Sequence, residues 1–289
     1  MEWYVFVLIS ALVFGIGNVV RKKALTKEHS MQFITTFQTV YFIAMLLLLP
    51  KVNFDSPMFI WAFIYIKSVL LLLATYFFIR LLRHNEISEI EPLWNLSPVF
   101  LLLLSYFMLN EAPSFINVVG VILIVGGAYV IETDHKITNI FKPISLLKSK
   151  KIIYILFFLI FISLCSVIDK IVLIQIDPYS FLFIQSMFMF VNCIIVQFTI
   201  YEGIKDIKTA LKRDFFYIML AVVLFIISDV FYFIAVSIPT AMVSLIIPIK
   251  RTSTIISTVL GGKIFHEKGL KIKISACIIM VLGIFLVLR

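Results

Sequence analysis

Residues 215–237 read FFYIMLAVVLFIISDVFYFIAVS, an apolar run in which Asp229 is the one charged side chain. A helix rises about 1.5 Å per residue, so a run of this length crosses the roughly 30 Å hydrocarbon core of a bilayer. Similar runs occur throughout the chain, and together they predict ten membrane-spanning helices. The predicted spans are about residues 2–22, 31–49, 58–80, 86–109, 114–131, 152–175, 179–200, 215–237, 240–261 and 271–288.

The composition of the whole chain excludes an ordinary water-soluble domain. Of its 289 residues, 62% are hydrophobic, 14% are charged and 29 are Phe. Soluble domains have roughly 45–50% apolar and about 25% charged residues. A core of this size could not bury so much apolar surface, so lipid must cover much of it. We therefore predict an all-α integral membrane protein embedded in the lipid bilayer.

The net charge of +9 comes from basic residues in the short connections between the spans. Basic chains are candidates for nucleic-acid binding, but Lys and Arg in alternate loops are typical of the positive-inside rule. The pattern predicts that the odd-numbered loops face the cytoplasm, that both termini lie outside, and that nucleic acid is not a partner. The two longest connections, 132–151 and 201–214, are predicted to be polar loops.

The two halves of the chain share residues at a constant spacing of 156 positions. Each half, residues 1–135 and 150–289, contains five predicted spans, so the second half enters the membrane from the opposite side. The sequence therefore predicts two inverted five-helix repeats, an architecture in which secondary transporters bind substrate near the membrane midplane. The shared residues are Tyr76 with Tyr232, Ser88 with Ser244, Pro92 with Pro248, Glu111 with Glu267, and Gly127 with Gly283.

Two matching segments carry a family resemblance. The first reads EPLWNLSP over 91–98 and reaches LNE at 109–111, and the second reads IPIKRTS over 247–253 and reaches IFHE at 264–267. A Pro-containing helix that ends in an acidic residue, followed by a Gly-rich helix, resembles the end of each repeat in the EamA-type carriers of the drug/metabolite transporter superfamily. The resemblance covers nearly the whole chain. It implies a carrier that exports amino acids, metabolites or drugs, or exchanges sugar nucleotides and phosphorylated sugars.

Three charged residues in spans 8 and 9 form the main candidate site, because ionisable groups inside a membrane are expensive and mark functional positions. Asp229 precedes the turn near 238–240 by about ten residues, and Lys250 and Arg251 follow it by about ten, so all three sit roughly 15 Å deep. The group is either a structural ion pair or a substrate site. Two cations exceed the charge of one Asp and leave net +1 for an anionic or zwitterionic solute. Asp229 is also a candidate for proton coupling.

Helix interruptions add further candidates. Pro92 and Pro248 occupy matching positions, and each removes one helix hydrogen bond and frees a carbonyl group. Such interruptions often line the substrate site of a transporter, and the alternative is a tolerated kink. Trp94 and Asn95 align with the Lys-Arg pair of the second half, so we expect them to line the opposite wall of the same cavity.

Polar residues elsewhere in the spans have two explanations. Tyr76 and Tyr232 either hydrogen-bond the substrate or join neighbouring helices. Glu111 and Glu267 fall at helix boundaries, where the simplest expectation is that each caps the following helix.

Catalytic signatures are missing from the sequence. It has no Walker A loop and no His-Glu-x-x-His motif, and Cys165, Cys193 and Cys277 lack metal-ligand spacing. We therefore predict no enzyme activity, no cofactor and no metal. The leading hypothesis is a secondary transporter in the cell membrane, an exporter that works by alternating access as a monomer or homodimer. The alternatives are a non-transporting regulatory or assembly subunit and an intramembrane enzyme.

Overall fold

No strand occurs in the part of the chain that the computed structural model describes, which is residues 2–25, 30–84, 95–132, 152–200, 204–256, 260 and 270–288. Ten α-helices have their bounds within these residues. They are α1 (Trp3–Leu25), α2 (Ser30–Met45), α3 (Met58–His84), α4 (Ser97–Leu109), α5 (Phe115–Glu132), α6 (Ile152–Leu173), α7 (Pro178–Ile200), α8 (Ile204–Ser237), α9 (Val243–Arg251) and α10 (Leu270–Val287). A 3-10 helix, Leu46–Lys51, continues α2.

The length and composition of these helices are those of a multi-pass membrane protein. Three shorter apolar helices, Ser97–Leu109, Phe115–Val130 and Ser275–Val287, accompany six longer ones. The all-α membrane class predicted from composition is therefore correct, while the number of membrane crossings stays a prediction. The described segments that are long and apolar enough to cross a bilayer are Trp3–Arg21, Phe33–Lys51, Met58–Phe78, Ile153–Leu173, Pro178–Thr199 and Phe215–Ser237.

Helix α8 begins earlier than the sequence prediction placed it. The connection 201–214 was expected to be a polar loop, but the chain is helical from Ile204, and α8 runs for 34 residues. The stretch contains no Pro or Gly after position 203, and six of its residues 204–214 are Lys, Arg, Ala or Leu, which favour a helix. Polarity indicates exposure to water and not the absence of a helix, which is why the prediction was wrong here.

Helices of the first half pack against helices of the second in antiparallel pairs. Between α1 and α8, the hydroxyl oxygens of Ser10 and Ser228 lie 3.0 Å apart, and the rings of Phe14 and Phe225 meet edge-on at 4.9 Å. Helix α3 packs on α6, and α2 packs on α7. These contacts are related by a shift of five helices. If α1 is exchanged with α6 and α3 with α8, the α1–α8 contact becomes the α6–α3 contact. If α2 is exchanged with α7, their contact is unchanged.

Helices α5 and α10 cross closely at small residues. A Cβ built on Gly120 would lie 2.7 Å from the carbonyl oxygen of Gly283, and a Cβ on Gly283 would lie 2.7 Å from that of Gly120. A Cβ on Gly127 would meet the carbonyl oxygen of Ala276 at 2.8 Å. Such distances leave no room for a side chain, so the backbones touch. Gly120 and Ala276 are 156 positions apart, and so are Gly127 and Gly283. The Gly120–Gly283 contact and the Gly127–Ala276 contact are therefore equivalent in the two halves.

Glu111 caps α9 and not the helix that follows it in sequence. Its carboxylate accepts hydrogen bonds from the backbone N–H groups of Val243 at 2.7 Å and Ser244 at 3.0 Å, and from the Ser244 hydroxyl at 2.5 Å. Asn110 ends α4 with φ of 54°, a left-handed conformation that Asn tolerates. The start of α5 is served by Ser114, whose hydroxyl accepts a backbone N–H. The expected local cap is therefore wrong for Glu111, and the cap that forms joins the two halves.

Lys170 of α6 holds the other side of the turn between α8 and α9. Its ammonium donates to the carbonyl oxygens of Val236 at 3.0 Å and Ile238 at 2.7 Å. A cation at the carboxyl end of α8 and the anion of Glu111 at the amino end of α9 match the dipoles of the two helices. The turn is thus fixed from both sides, which sets the register between α8 and α9.

We expect Gly127→Ala to destabilise the protein, because the added methyl group meets the backbone of α10. Overpacking of this kind costs about 1–3 kcal/mol. Gly126→Ala is the matched control: a Cβ there has nothing within 4 Å, and Ala is more stable than Gly in a helix by roughly 0.5–1 kcal/mol. Thermal unfolding in detergent measures both variants. Equal melting temperatures would contradict close packing at this crossing.

Glu111→Ala is expected to lower the free energy of unfolding by about 1–3 kcal/mol, because it leaves buried donors of α9 without an acceptor. Glu111→Gln keeps one acceptor oxygen and is expected to fall between Ala and the native protein. Ser244→Ala, which removes only the hydroxyl donor, serves as the control. If Glu111→Ala melts at the native temperature, the cap does not hold the halves together.

Candidate functional site

Asp229 of α8 and Lys250 of α9 form an ion pair across the fixed turn. Lys250 Nζ lies 3.4 Å from Asp229 Oδ1, and the Lys250 and Asp229 side chains are 15% and 25% exposed. The hydroxyl of Tyr41 on α2 donates to Asp229 Oδ2 at 3.0 Å. Both carboxylate oxygens are therefore held, one by the first half of the chain and one by the second, in a pair that is partly open.

The ammonium of Lys250 also lies against two aromatic rings. Its Nζ is 3.9 Å from the ring centroid of Tyr232 and 5.1 Å from that of Phe14 on α1. Contacts of this kind contribute about 0.5–2 kcal/mol, depending on how fully the cation is desolvated. Asp229 is thus the anion that Lys250 contacts in this state, and the rings would hold the ammonium if a solute anion replaced Asp229.

Arg251 lies on the side of α9 that meets α4. Its guanidinium donates through Nη2 to the hydroxyl of Ser97 at 3.2 Å. Asn95 is buried in the turn just before α4, two residues from Ser97. The two positions that the repeat aligns, Asn95 and Arg251, therefore lie in the same region of the bundle, where the two halves meet.

Pro248 is buried inside α9. Because a proline has no N–H, the carbonyl of Ser244 one turn earlier loses its helical donor. A turn at Thr252 then interrupts the helix, and residues 253–256 are helical again. The predicted span 240–261 is thus not one regular helix, and the irregular stretch begins next to the two cations.

A second ion pair lies close by and is sealed. Lys67 of α3 contacts Asp169 of α6, and their side chains are 4% and 6% exposed. Lys67 Nζ donates to Gln185 Oε1 at 2.5 Å, and the Tyr232 hydroxyl donates to Asp169 Oδ2 at 3.3 Å. Tyr232 contacts both pairs, because its ring faces Lys250 and its hydroxyl binds Asp169.

The sequence prediction did not find the second pair. Asp169 is an acidic residue inside the predicted span 152–175, so the rule that selected Asp229 applies to it as well. Its partner Lys67 lies on α3, which is not adjacent to α6 in sequence, so equal depth from a shared turn could not identify the pair.

The other predicted site residues are not all brought together. Tyr76 is 45% exposed on α3, with its ring edge-on to Phe77 at 5.7 Å, whereas Tyr232 is 4% exposed. Pro92 and Trp94 lie outside the described residues. Among the residues that the structure describes, no group of three or more His, Cys, Asp or Glu side chains could hold a metal ion.

The charges of the two pairs and Arg251 do not cancel. Three cations and two anions leave a formal charge of +1 among these side chains, which are Lys67, Lys250, Arg251, Asp169 and Asp229. A carboxylate or phosphate group that enters beside Lys250 and Arg251 would meet two cations that are adjacent in the sequence.

Comparison with known proteins agrees with this architecture. A family model described as the EamA-like transporter family matches residues 1–133 and 149–289. No curated protein matches the chain. Of 28 matching chains from solved structures, a crystal structure described only as that of a protein has 12% identity and a TM-score of 0.74, with 98% of this chain and 94% of that chain covered, and shows the same fold. Because the family model matches both halves, the chain belongs to the EamA-like transporter family.

Proposed function

We propose that the protein is a secondary transporter that moves a small solute across the cell membrane by alternating access. Family membership makes it a membrane transporter of the drug/metabolite kind. The observation that carries the finer proposal is the partly open Asp229–Lys250 pair, which residues of α1, α2 and α8 surround. A partly exposed ion pair contributes only about 0–1 kcal/mol to stability, so Lys250 and Asp229 can exchange each other for the charged groups of a solute at little cost.

We propose that two inverted repeats, residues 1–135 and 150–289, open the site first to one side of the membrane and then to the other. Each repeat has five membrane crossings. The antiparallel packing of α2 on α7 and of α5 on α10 supports this, because equivalent helices of an inverted repeat run in opposite directions. The reciprocal contact of Gly120 with Gly283 gives the same support. Rocking one repeat against the other would open the site to either side of the membrane in turn.

The proposed solute is anionic or zwitterionic. Lys250 and Arg251 bind its anionic group, since a guanidinium offers a planar fork and an ammonium offers a point charge. Asp229 binds the ammonium group of a zwitterionic solute, which replaces Lys250 as the cation beside the carboxylate. The remaining proposed lining consists of Trp94, Asn95 and Tyr232, with Pro92 and Pro248 as the helix interruptions.

Export is the proposed direction, and a proton is the proposed coupling ion. Export follows the resemblance to EamA-type carriers, and proton coupling follows the presence of acidic side chains inside the spans. Residues from both halves of one chain build the described site, so a monomer suffices for transport and a homodimer is compatible with it.

Solute flux in proteoliposomes tests the function. We expect the purified protein to exchange solutes from a radiolabelled mixture of amino acids or from one of organic acids, at a rate well above that of protein-free liposomes. Absence of flux with both mixtures would reject the proposed substrate class. It would also favour a regulatory or assembly subunit, since no solute then needs the open ion pair.

Replacing Lys250 with Ala is expected to weaken solute binding roughly 10–100-fold, because a hydrogen bond to a charged group contributes about 1.5–3 kcal/mol. Thermal stabilisation of the purified protein by the transported solute measures the affinity. Lys51→Ala is the matched control, since Lys51 is exposed at the end of the 3-10 helix and lies over the ring of Tyr179. An unchanged affinity in Lys250→Ala would remove that residue from the site.

A further inference from the structure

The Lys67–Asp169 pair is closed to any solute in this state. Its side chains are 4% and 6% exposed, against 15% and 25% for Lys250 and Asp229. A metabolite does not fit where no surface is open, whereas a proton needs only a hydroxyl group or a water molecule to reach a carboxylate. A buried ion pair is costly in hydrocarbon, so a pair that touches no solute calls for another function.

Lys67 has a setting that does not depend on the charge of Asp169. Its ammonium donates to Gln185 Oε1 at 2.5 Å. It also lies 4.6 Å from the ring centroid of Phe181 and 5.0 Å from that of Phe233. If Asp169 became neutral, Lys67 would still have an amide acceptor and two ring faces. These contacts offset part of the cost of leaving the ammonium of Lys67 without its anion.

Tyr232 links this sealed pair to the open one. Its hydroxyl donates to Asp169 Oδ2 at 3.3 Å, and its ring centroid lies 3.9 Å from Lys250 Nζ. A solute anion that draws Lys250 away from the ring of Tyr232 removes one of the contacts that hold the Tyr232 side chain in place. The hydrogen bond to Asp169 then changes with the occupancy of the solute site.

Few charged or titratable groups face Asp169 among the described residues of the helices packed on α6. Helix α3 contributes Lys67, and α8 contributes Tyr232. The charge of Lys250 on α9 acts from beyond the Tyr232 ring. On α6 itself, the thiol of Cys165 donates to the carbonyl of Lys67 at 3.7 Å. Helix α7 supplies the neutral amide of Gln185, which accepts from Lys67.

We propose that Asp169 is the binding site of the coupling proton and that Tyr232 is the positioning residue that links this site to solute at Lys250. The proposal rests on the transport function above and places the coupling ion outside the solute site. One proton from the aqueous phase adds to a carboxylate oxygen of Asp169 and gives a neutral carboxyl, while Lys67 stays an ammonium. No other bond forms or breaks. Asp229 is less suited to this task, because Lys250 and a solute ammonium compete for it.

Coupling of this kind is reciprocal. If bound solute changes the proton affinity of Asp169 by some factor, protonation changes the solute affinity by the same factor. A pH gradient across the membrane then drives solute movement, whereas exchange of solute for solute at equal pH requires no net proton movement.

Proteoliposomes separate these two processes, with the radiolabelled amino-acid and organic-acid mixtures as probes. We expect the native protein to show exchange at equal pH and uphill movement under an imposed pH gradient. Asp169→Asn should keep the exchange and lose the response to the gradient. Asp55→Asn, which changes an exposed acid before α3, should keep both.

Each unfavourable result has a distinct meaning. If the native protein exchanges solute but ignores the gradient, or if Asp169→Asn still follows it, the proton site is wrong and the transport function stands. If the native protein exchanges neither mixture, the proposed function is wrong. Infrared spectra then test the proton site separately, because they need no solute.

Infrared difference spectra between neutral and acid pH detect protonation of a carboxylate without any solute. In the native protein and in Asp229→Asn we expect the carbonyl band of a buried carboxyl, at a higher wavenumber than the band of the exposed acids, and we expect its loss in Asp169→Asn. Because that variant leaves Lys67 without its anion and could fail to fold, the double variant Lys67→Gln/Asp169→Asn removes both charges together. A band that persists in the double variant and disappears in Asp229→Asn would overturn the proposal.

Discussion

The cost of placing charge in hydrocarbon governs how these helices are arranged. An isolated ionised side chain in a bilayer loses several kcal/mol of hydration, so each charge in the described core requires a partner on another helix. Opposite charges, hydroxyl groups, amides, rings and helix ends supply those partners. The side chains concerned are Lys67, Asp169, Asp229, Lys250, Arg251, Glu111 and Lys170.

These partnerships decide which helices are neighbours and which can move. Removing one member of a buried pair costs about 3–5 kcal/mol, because the other is left unpaired. The proposed rocking of the two halves must therefore keep each pair intact or offer a new partner as the old one leaves. Asp229 and Lys250 sit where a solute can be that new partner, since they are partly open. Glu111 lies outside these ion pairs and caps α9 from the other half of the chain. If the halves separate at this point, either the cap breaks or Glu111 moves together with α9.

The sequence predicts the class of the fold well and one of the two ion pairs. Composition and apolar runs suffice for an all-helical membrane protein, because lipid contact leaves little choice of residue types. Asp229 and Lys250 could be placed together since a single short turn joins their helices, and depth is then a matter of counting residues. Lys67 and Asp169 could not, because their helices are distant in sequence and meet only in the folded bundle. The predicted cap for Glu111 was wrong for the same reason, because the helix end that Glu111 caps lies in the other half of the chain.

The position of a bound solute tests the central claim most directly. A structure determined with a solute that the protein transports should show the anionic group of that solute within hydrogen-bonding distance, about 2.7–3.2 Å, of Lys250 Nζ. Asp229 should then have lost Lys250 or gained the cationic group of the solute. A solute bound elsewhere, with the Asp229–Lys250 pair unchanged, would contradict the account.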